Sequence, residues 1–381
     1  MLLMFAQIWK ELTATILSLI LTFGTTIGTI VPATTGGSAD YFDGNVKNVI
    51  YLIGDGMGFN HLEKAKKERS ISLVMDTFEE RGASMTRSYT SSVTDSAAGG
   101  TALSTGERTF NGGIGVYFSD SNAVFSYPKN ITELCLERGM MTGVITSDET
   151  SGATPASFSA HESDRGNTEE ITEDQLNSGI NLIWGTSNGL VTEHDAKVKG
   201  YQLITTYDEM MALPEGSSSF GQFTNNLWTL QQSDASTPTL EQMTMKAIDL
   251  LDDTDEGFFL MVEGAHIDKH SHSNLDDNMT EAVEAFDKAI QYALEYAKND
   301  GETLVIVTAD HETGAIVLND DGSYSFTSGS HSGVDVPLLV YGTDKLLRGD
   351  EVINNYEVPI RIAYTLGFTE DQFPYEVMVA A

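Results

Sequence analysis

Three stretches of this chain carry an apolar run straight into side chains that hold cations or move protons. Val49-Ile50-Tyr51-Leu52-Ile53 leads into Gly54-Asp55-Gly56-Met57-Gly58. Phe258-Phe259-Leu260-Met261-Val262 leads into Glu263-Gly264-Ala265-His266-Ile267-Asp268, and Leu304-Val305-Ile306-Val307-Thr308 leads into Ala309-Asp310-His311-Glu312. One strand-terminal Asp reads as a cap or turn residue. Three read differently, because ligands of open α/β sheets bind at the carboxyl ends of strands. Asp55, Glu263, Asp268, Asp310 and His311 would then meet on one rim. So many carboxylates cannot stay ionised at close range without cations between them. Mixed Asp and His ligation favours zinc and all-oxygen ligation favours magnesium, so the set points to more than one metal. His272, four residues beyond Asp268, and His331, in a polar loop ahead of a strand, are each ambiguous alone.

A nucleophile fits beside such a centre. Val93-Thr94-Asp95-Ser96-Ala97-Ala98-Gly99-Gly100 reads as a capped helix start followed by small residues. Ser96 would sit in the first turn, where backbone N–H groups and the helix dipole favour an approaching phosphate. A serine hydroxyl is weak until its pKa falls, which a metal can bring about without a histidine base. Without the metal cluster, the same string is a cap with small residues for close packing. Arg165 is one of few arginines, and its guanidinium could hold two phosphate oxygens in a fork. By position alone it is equally a surface residue.

These residues need a rigid frame, and the pattern supplies one. Val49 to Ile53, Thr142 to Thr146, Phe258 to Val262, Leu304 to Val307 and Pro337 to Tyr341 are short, unalternated apolar strands, as strands buried on both faces should be. Leu240 to Leu251 and Glu281 to Ala297 are amphipathic helices between them. The expected fold class is α/β: a doubly wound, mostly parallel central sheet with helices on both faces. About Asp164 to Ser236 is more polar and resists placement, and Asp320 to Ser330 reads as a loop or small insertion.

Composition narrows the function classes. With 40% hydrophobic residues, the 381-residue chain can bury a large core. Fifty-six acidic against 21 basic side chains give a net charge of −35, which repels nucleic acid and anionic lipid. Phosphate chemistry therefore needs a strong local positive centre. The single cysteine, Cys135, allows no internal disulfide and reads as a buried apolar residue. Residues 1–39 read as a signal peptide cleaved after Ala33 or Ala39, with an uncleaved membrane anchor as the alternative. Residues 40–381 are expected to form a single catalytic domain.

Taken together, the motifs resemble the alkaline phosphatase family: Gly54-Asp55-Gly56-Met57-Gly58, Thr94-Asp95-Ser96-Ala97-Ala98, Val262-Glu263-Gly264-Ala265, Ile267-Asp268-Lys269 and Thr308-Ala309-Asp310-His311 occur in the family's order. The similarity runs from about Asn45 to Thr365. It implies a phosphomonoesterase with a phosphoserine intermediate at Ser96, two zinc ions and one magnesium. Asp268, His272 and His331 would hold the zinc that activates water. Asp55, Asp310 and His311 would hold the zinc beside Ser96, and Asp55 would bridge to magnesium completed by Thr154 and Glu263. Arg165 would clamp phosphate, and Lys269 could reach it through water. The leader reading implies a secreted or periplasmic protein, and the resemblance implies small phosphate monoesters as substrates and a homodimer. Two departures stand out. Gly152 occupies a position where some relatives carry an acidic residue, and the connection between His311 and His331 is short. His61, His161, His194, His266 and His270 match no ligand position and read as surface or packing residues, with His266 and His270 as candidates to border the site. The rival readings are a phosphodiesterase or sulfatase of the same superfamily, or a non-catalytic relative. A sulfatase would need a Cys/Ser-x-Pro-x-Arg context that neither Cys135 nor Ser96 has. A non-catalytic relative would have lost a catalytic position, and none is lost.

Overall fold

Ten strands join into one sheet in the computed structural model, which describes residues 37–374 except 120–123, 225, 233–235 and 253. Residues 1–36, nearly all of the expected leader, lie outside the described residues. The strands are β1 (Asn48–Gly54), β2 (Glu80–Met85), β3 (Met141–Glu149), β4 (Leu182–Thr186), β5 (Gln202–Ile204), β6 (Ser219–Phe223), β7 (Phe258–Gly264), β8 (Thr303–Thr308), β9 (Val336–Tyr341) and β10 (Val352–Asn354). Their order across the sheet is β10-β2-β9-β8-β1-β7-β3-β4-β6-β5. Only β9 runs against its neighbours β8 and β2; every other pairing is parallel.

The helices used below are α1 (Phe59–Arg69), α2 (Ser96–Thr105), α3 (Ile131–Arg138), α4 (Ala153–Ser157), α5 (Leu240–Leu251), α6 (His266–His272), α7 (Asp276–Asp300) and α8 (Glu357–Thr365). Alternate side chains of the central strands feed two cores, one on each face. Ile50, Leu52, Leu260, Val262, Val305 and Val307 pack with α5 and α7. Val49, Tyr51, Ile53, Phe259, Met261, Leu304 and Ile306 pack with α3 and α8. Each such side chain contributes roughly 1.5–3 kcal/mol on burial, which offsets the cost of holding carboxylates out of water at the rim.

Local signals agree with these elements. Thr239 caps α5 reciprocally with Gln242, and Asn130 does so with Glu133 at α3, which ends on Gly139 at φ 88°. Cys135 lies buried in α3, where burial pushes its thiol up to about 12. The Asp320 to Ser330 stretch forms part of a small hairpin, Val317–Leu318 paired with Tyr324–Ser325. The polar stretch that resisted placement supplies β4, β5 and β6 on one side of the sheet.

Candidate metal and phosphate centre

Register explains why distant residues meet. Ile53 lies opposite both Thr308 and Glu263 across the parallel ladder, so β1, β7 and β8 end at one height. Asp55 and Asp310, each two residues further on, leave the same rim. Gly56, at φ 71°, turns the chain there and donates its N–H to Asp310 Oδ1 at 3.1 Å. A Cβ at Gly56 would stand 2.8 Å from both Asp268 Cα and Thr313 Oγ1, so this turn admits no side chain.

Two groups form side by side: Asp55, Asp310 and His311, and Asp268, His272 and His331, with ligand atoms within 4.8 Å of one another in each. His272 reaches Asp268 because they are i,i+4 partners on α6, Nε2 to Oδ2 at 3.3 Å. His331 arrives from a two-residue strand, His331–Ser332, paired with Glu312–Thr313. Its ring stacks on that of His311 at 3.6 Å.

The hydrogen-bond partners assign the tautomers. His272 Nδ1 faces the Gly329 carbonyl at 2.8 Å and His331 Nδ1 faces the Thr94 carbonyl at 2.9 Å, so each Nδ1 donates outward and each Nε2 is turned to the site. The two Nε2 atoms face each other at 3.1 Å and lie 3.3 and 3.5 Å from the Asp268 carboxylate. Thr313 Oγ1 donates to Asp268 and accepts from His311 Nδ1 at 3.3 Å, leaving His311 Nε2 as an acceptor turned to the site. Asp55 Oδ1 and Asp310 Oδ2 are buried without a hydrogen-bond donor, 3.6 and 3.3 Å from that nitrogen. Imidazole nitrogens and carboxylate oxygens turned toward common points, two of those oxygens with no hydrogen-bond partner, fit divalent cations at both groups.

Charge tells the same story. Burial first, then Asp310, Asp268 and Glu263, lift Asp55 far above the usual carboxylate range. Glu263 is pushed up to about 8 by burial and then by Asp148. Asp268 resists its own burial and stays low, because His272, His311 and Thr313 favour its charge.

Ser96 opens α2, capped by Asp95, whose Oδ1 accepts the Ala98 N–H at 3.0 Å. Its Oγ lies 3.1 Å from His311 Nε2. Asp95 Oδ2 accepts from Arg165 Nη1 at 3.1 Å, which seats the guanidinium beside the serine while leaving it partly exposed. The small residues of α2 also have a packing role. A Cβ at Gly99 would meet Asp310 O at 2.9 Å, and one at Gly100 would meet Ser157 Oγ at 2.8 Å.

Thr154, in α4, lies where its hydroxyl favours the ionised form of Glu263, and Thr146 Oγ1 donates to Glu263 Oε2. Lys269 meets Asp148 at the end of β3. Every expected site residue thus lies at this rim. Thr313, Thr146 and Asp148 were not anticipated. Asp148 carried the signal used for the others, an apolar strand running into Thr146-Ser147-Asp148. Of the unassigned histidines, His61 is buried and joins Gly58 N and Ser271 Oγ, and His194 is exposed. His161 meets Glu133, while His266 and His270 pack against Trp228.

The alkaline phosphatase family profile matches residues 46–186 and 184–328. Alkaline phosphatase 4 of Bacillus subtilis is 33% identical over 329 residues, spanning 80% of this chain and 69% of that protein. The Escherichia coli alkaline phosphatase is 30% identical over 391 residues, spanning 79% and 82%. The solved alkaline phosphatase of the Antarctic bacterium TAB5 superposes with a TM-score of 0.73 at 32% identity, covering 84% of this chain and 98% of that one.

Proposed function

This chain belongs to the alkaline phosphatase family of phosphatase enzymes, and from that premise we propose that it hydrolyses phosphate monoesters in two displacements at Ser96. Ser96 Oγ attacks phosphorus and the ester oxygen leaves as an alcohol once protonated. Water then attacks the phosphoserine, releasing inorganic phosphate and restoring the hydroxyl. The observation that carries this reading is Ser96 Oγ at a helix N-terminus, 3.1 Å from His311 Nε2, which is flanked by one unpartnered oxygen from each of Asp55 and Asp310.

Zinc at Asp55–Asp310–His311 and at Asp268–His272–His331, with magnesium at Asp55–Thr154–Glu263, would supply the positive charge that lowers the pKa of the Ser96 hydroxyl and of water. The chain's own groups do the rest. The free N–H groups of the first turn of α2 face the phosphoryl oxygens. Arg165, steered by Asp95, holds two of those oxygens in a fork and sets the phosphorus in line with Oγ. Thr313 fixes both Asp268 and His311, so the two groups keep their spacing. Among the described residues no helix is long and apolar enough to cross a membrane. We read residues 1–39 as a leader to the periplasm or exterior, and the working form as a homodimer.

The test is direct. Protein quenched in acid while turning over para-nitrophenyl phosphate should yield one phosphopeptide, modified at Ser96. Phosphate on another residue, or rapid turnover by Ser96→Ala, contradicts the mechanism.

A further inference from the structure

Lys269 and Asp148 form an ion pair on the rim that no motif predicted. The lysine follows Asp268 on α6, and its ammonium meets Asp148 Oδ1. Asp148 is itself tied down: its N–H donates to Thr146 Oγ1 at 2.8 Å, and Thr146 donates to Glu263. It stands where the β3–β4 ladder shifts register between Ile145 and Glu149. The backbone of Asp148 is thus fixed to the same hydroxyl that donates to Glu263.

Gly152 makes this arrangement possible. It is the N-cap of α4 with φ −54° and ψ 152°, a conformation open to any residue, and it offers no side-chain cap. Aspartate is among the preferred residues at an N-cap, so local physics favours an acidic residue here over glycine. The reason for glycine is space. A Cβ at 152 would stand 2.8 Å from Asp148 Oδ2 and 3.0 Å from Glu149 O. The carboxylate from the strand fills the room that a side chain at 152 would take.

We propose that Asp148 is the positioning residue for Lys269: it replaces, from four residues upstream, an acidic group at position 152 and holds the ammonium at a set distance from bound phosphate. This rests on the phosphatase reading. With Asp148 in place, the ammonium shares its charge with a carboxylate. Without it, the ammonium is free to lean on the anion, and product is released more slowly.

The measurement is the competitive inhibition constant of inorganic phosphate, backed by calorimetric titration of phosphate into the metal-loaded protein. Asp148→Ala should lower that constant roughly fivefold, the scale of a partly exposed charge pair, with kcat falling in step. Asp148→Ala should have no effect in a Lys269→Ala background, because it acts through the lysine. Adding Gly152→Asp to Asp148→Ala should return the constant toward the parent value, because the shortened side chain removes the nearer contact at 152 and leaves only the 3.0 Å approach to Glu149 O. An unchanged constant in Asp148→Ala, an equal effect with Lys269 absent, or no recovery with Gly152→Asp overturns the inference while leaving the phosphatase reading intact. A parent protein that neither hydrolyses the ester nor binds phosphate overturns both.

Discussion

Two buried ionic clusters of this molecule are built on opposite principles. At the rim of α8, Arg361 donates to Glu351 at 2.7 and 3.0 Å, to Glu357 at 3.2 Å and to the Leu346 carbonyl at 2.9 Å. The chain carries its own cation there, and Glu351 is held below the usual carboxylate range, chiefly by its hydrogen bonds to Arg361. At the strand ends, Asp55, Asp310, Asp268 and Glu263 crowd together while the nearest cations, Arg165 and Lys269, are engaged at Asp95 and Asp148. Asp55 and Glu263 respond by rising. One cluster is complete as folded. The other is complete only with imported charge, and that incompleteness marks it as the site.

The comparison breaks most sharply through substitution. Asp310→Asn should lower kcat/KM by on the order of 10³-fold or more, since it removes a proposed metal ligand beside the nucleophile. The same change should leave the metal-free protein as stable as its parent or more so, because it relieves like-charge crowding. Arg361→Met should do the reverse. It strands Glu357 and costs about 3–5 kcal/mol, while the folded fraction keeps its turnover. Thermal unfolding and para-nitrophenyl phosphate kinetics on both variants give the full crossed pattern. Equal loss of stability from both substitutions would erase the distinction.

pH sharpens it further. Glu263 is raised in the folded state to about 8, so its stabilising contribution is present below its ordinary value of 4.5 and is lost as pH climbs through 8. Glu351 is lowered, so its contribution is present at neutral pH and is lost as pH falls. Metal-free protein should therefore weaken steadily between pH 5 and about 8, and Glu263→Gln should flatten that slope in urea melts. Metal uptake should release protons in the same window, measurable by calorimetry in buffers of different ionisation enthalpy.

The smallest expected effect comes from packing. Gly99→Ala should raise helix propensity yet press on the Asp310 backbone, weakening metal affinity about tenfold without changing the fold. A titration in metal buffers separates the two consequences.

Much of this was legible in the chain because strand-terminal chemistry is local. Asp55, Glu263 and Asp310 each follow an unbroken apolar run, and parallel register alone brings them level. Ser96 was legible through its cap and the small residues behind it. The inner strands and α5 were readable for the same reason, since their burial is uniform or periodic. Less was visible where tertiary context decides. β4, β5 and β6 lie in a polar stretch whose sequence does not announce strands, and they form by pairing outward from β3. Arg165 gains meaning only through Asp95, seventy residues away. Gly152 looked like a lost acidic residue, and only the space it leaves for Asp148 explains it.

The central claim is that the six residues Asp55, Asp310, His311, Asp268, His272 and His331 require divalent cations to be complete. Metal analysis of the purified protein, joined to turnover and thermal unfolding before and after chelation, tests it most directly. The account predicts at least two bound divalent ions per chain, loss of activity and a lower melting temperature on their removal, and recovery of both with zinc and magnesium; Ser96→Ala should keep the ions and the thermal shift without turnover. Full activity with an unchanged melting temperature in the metal-stripped protein would contradict it.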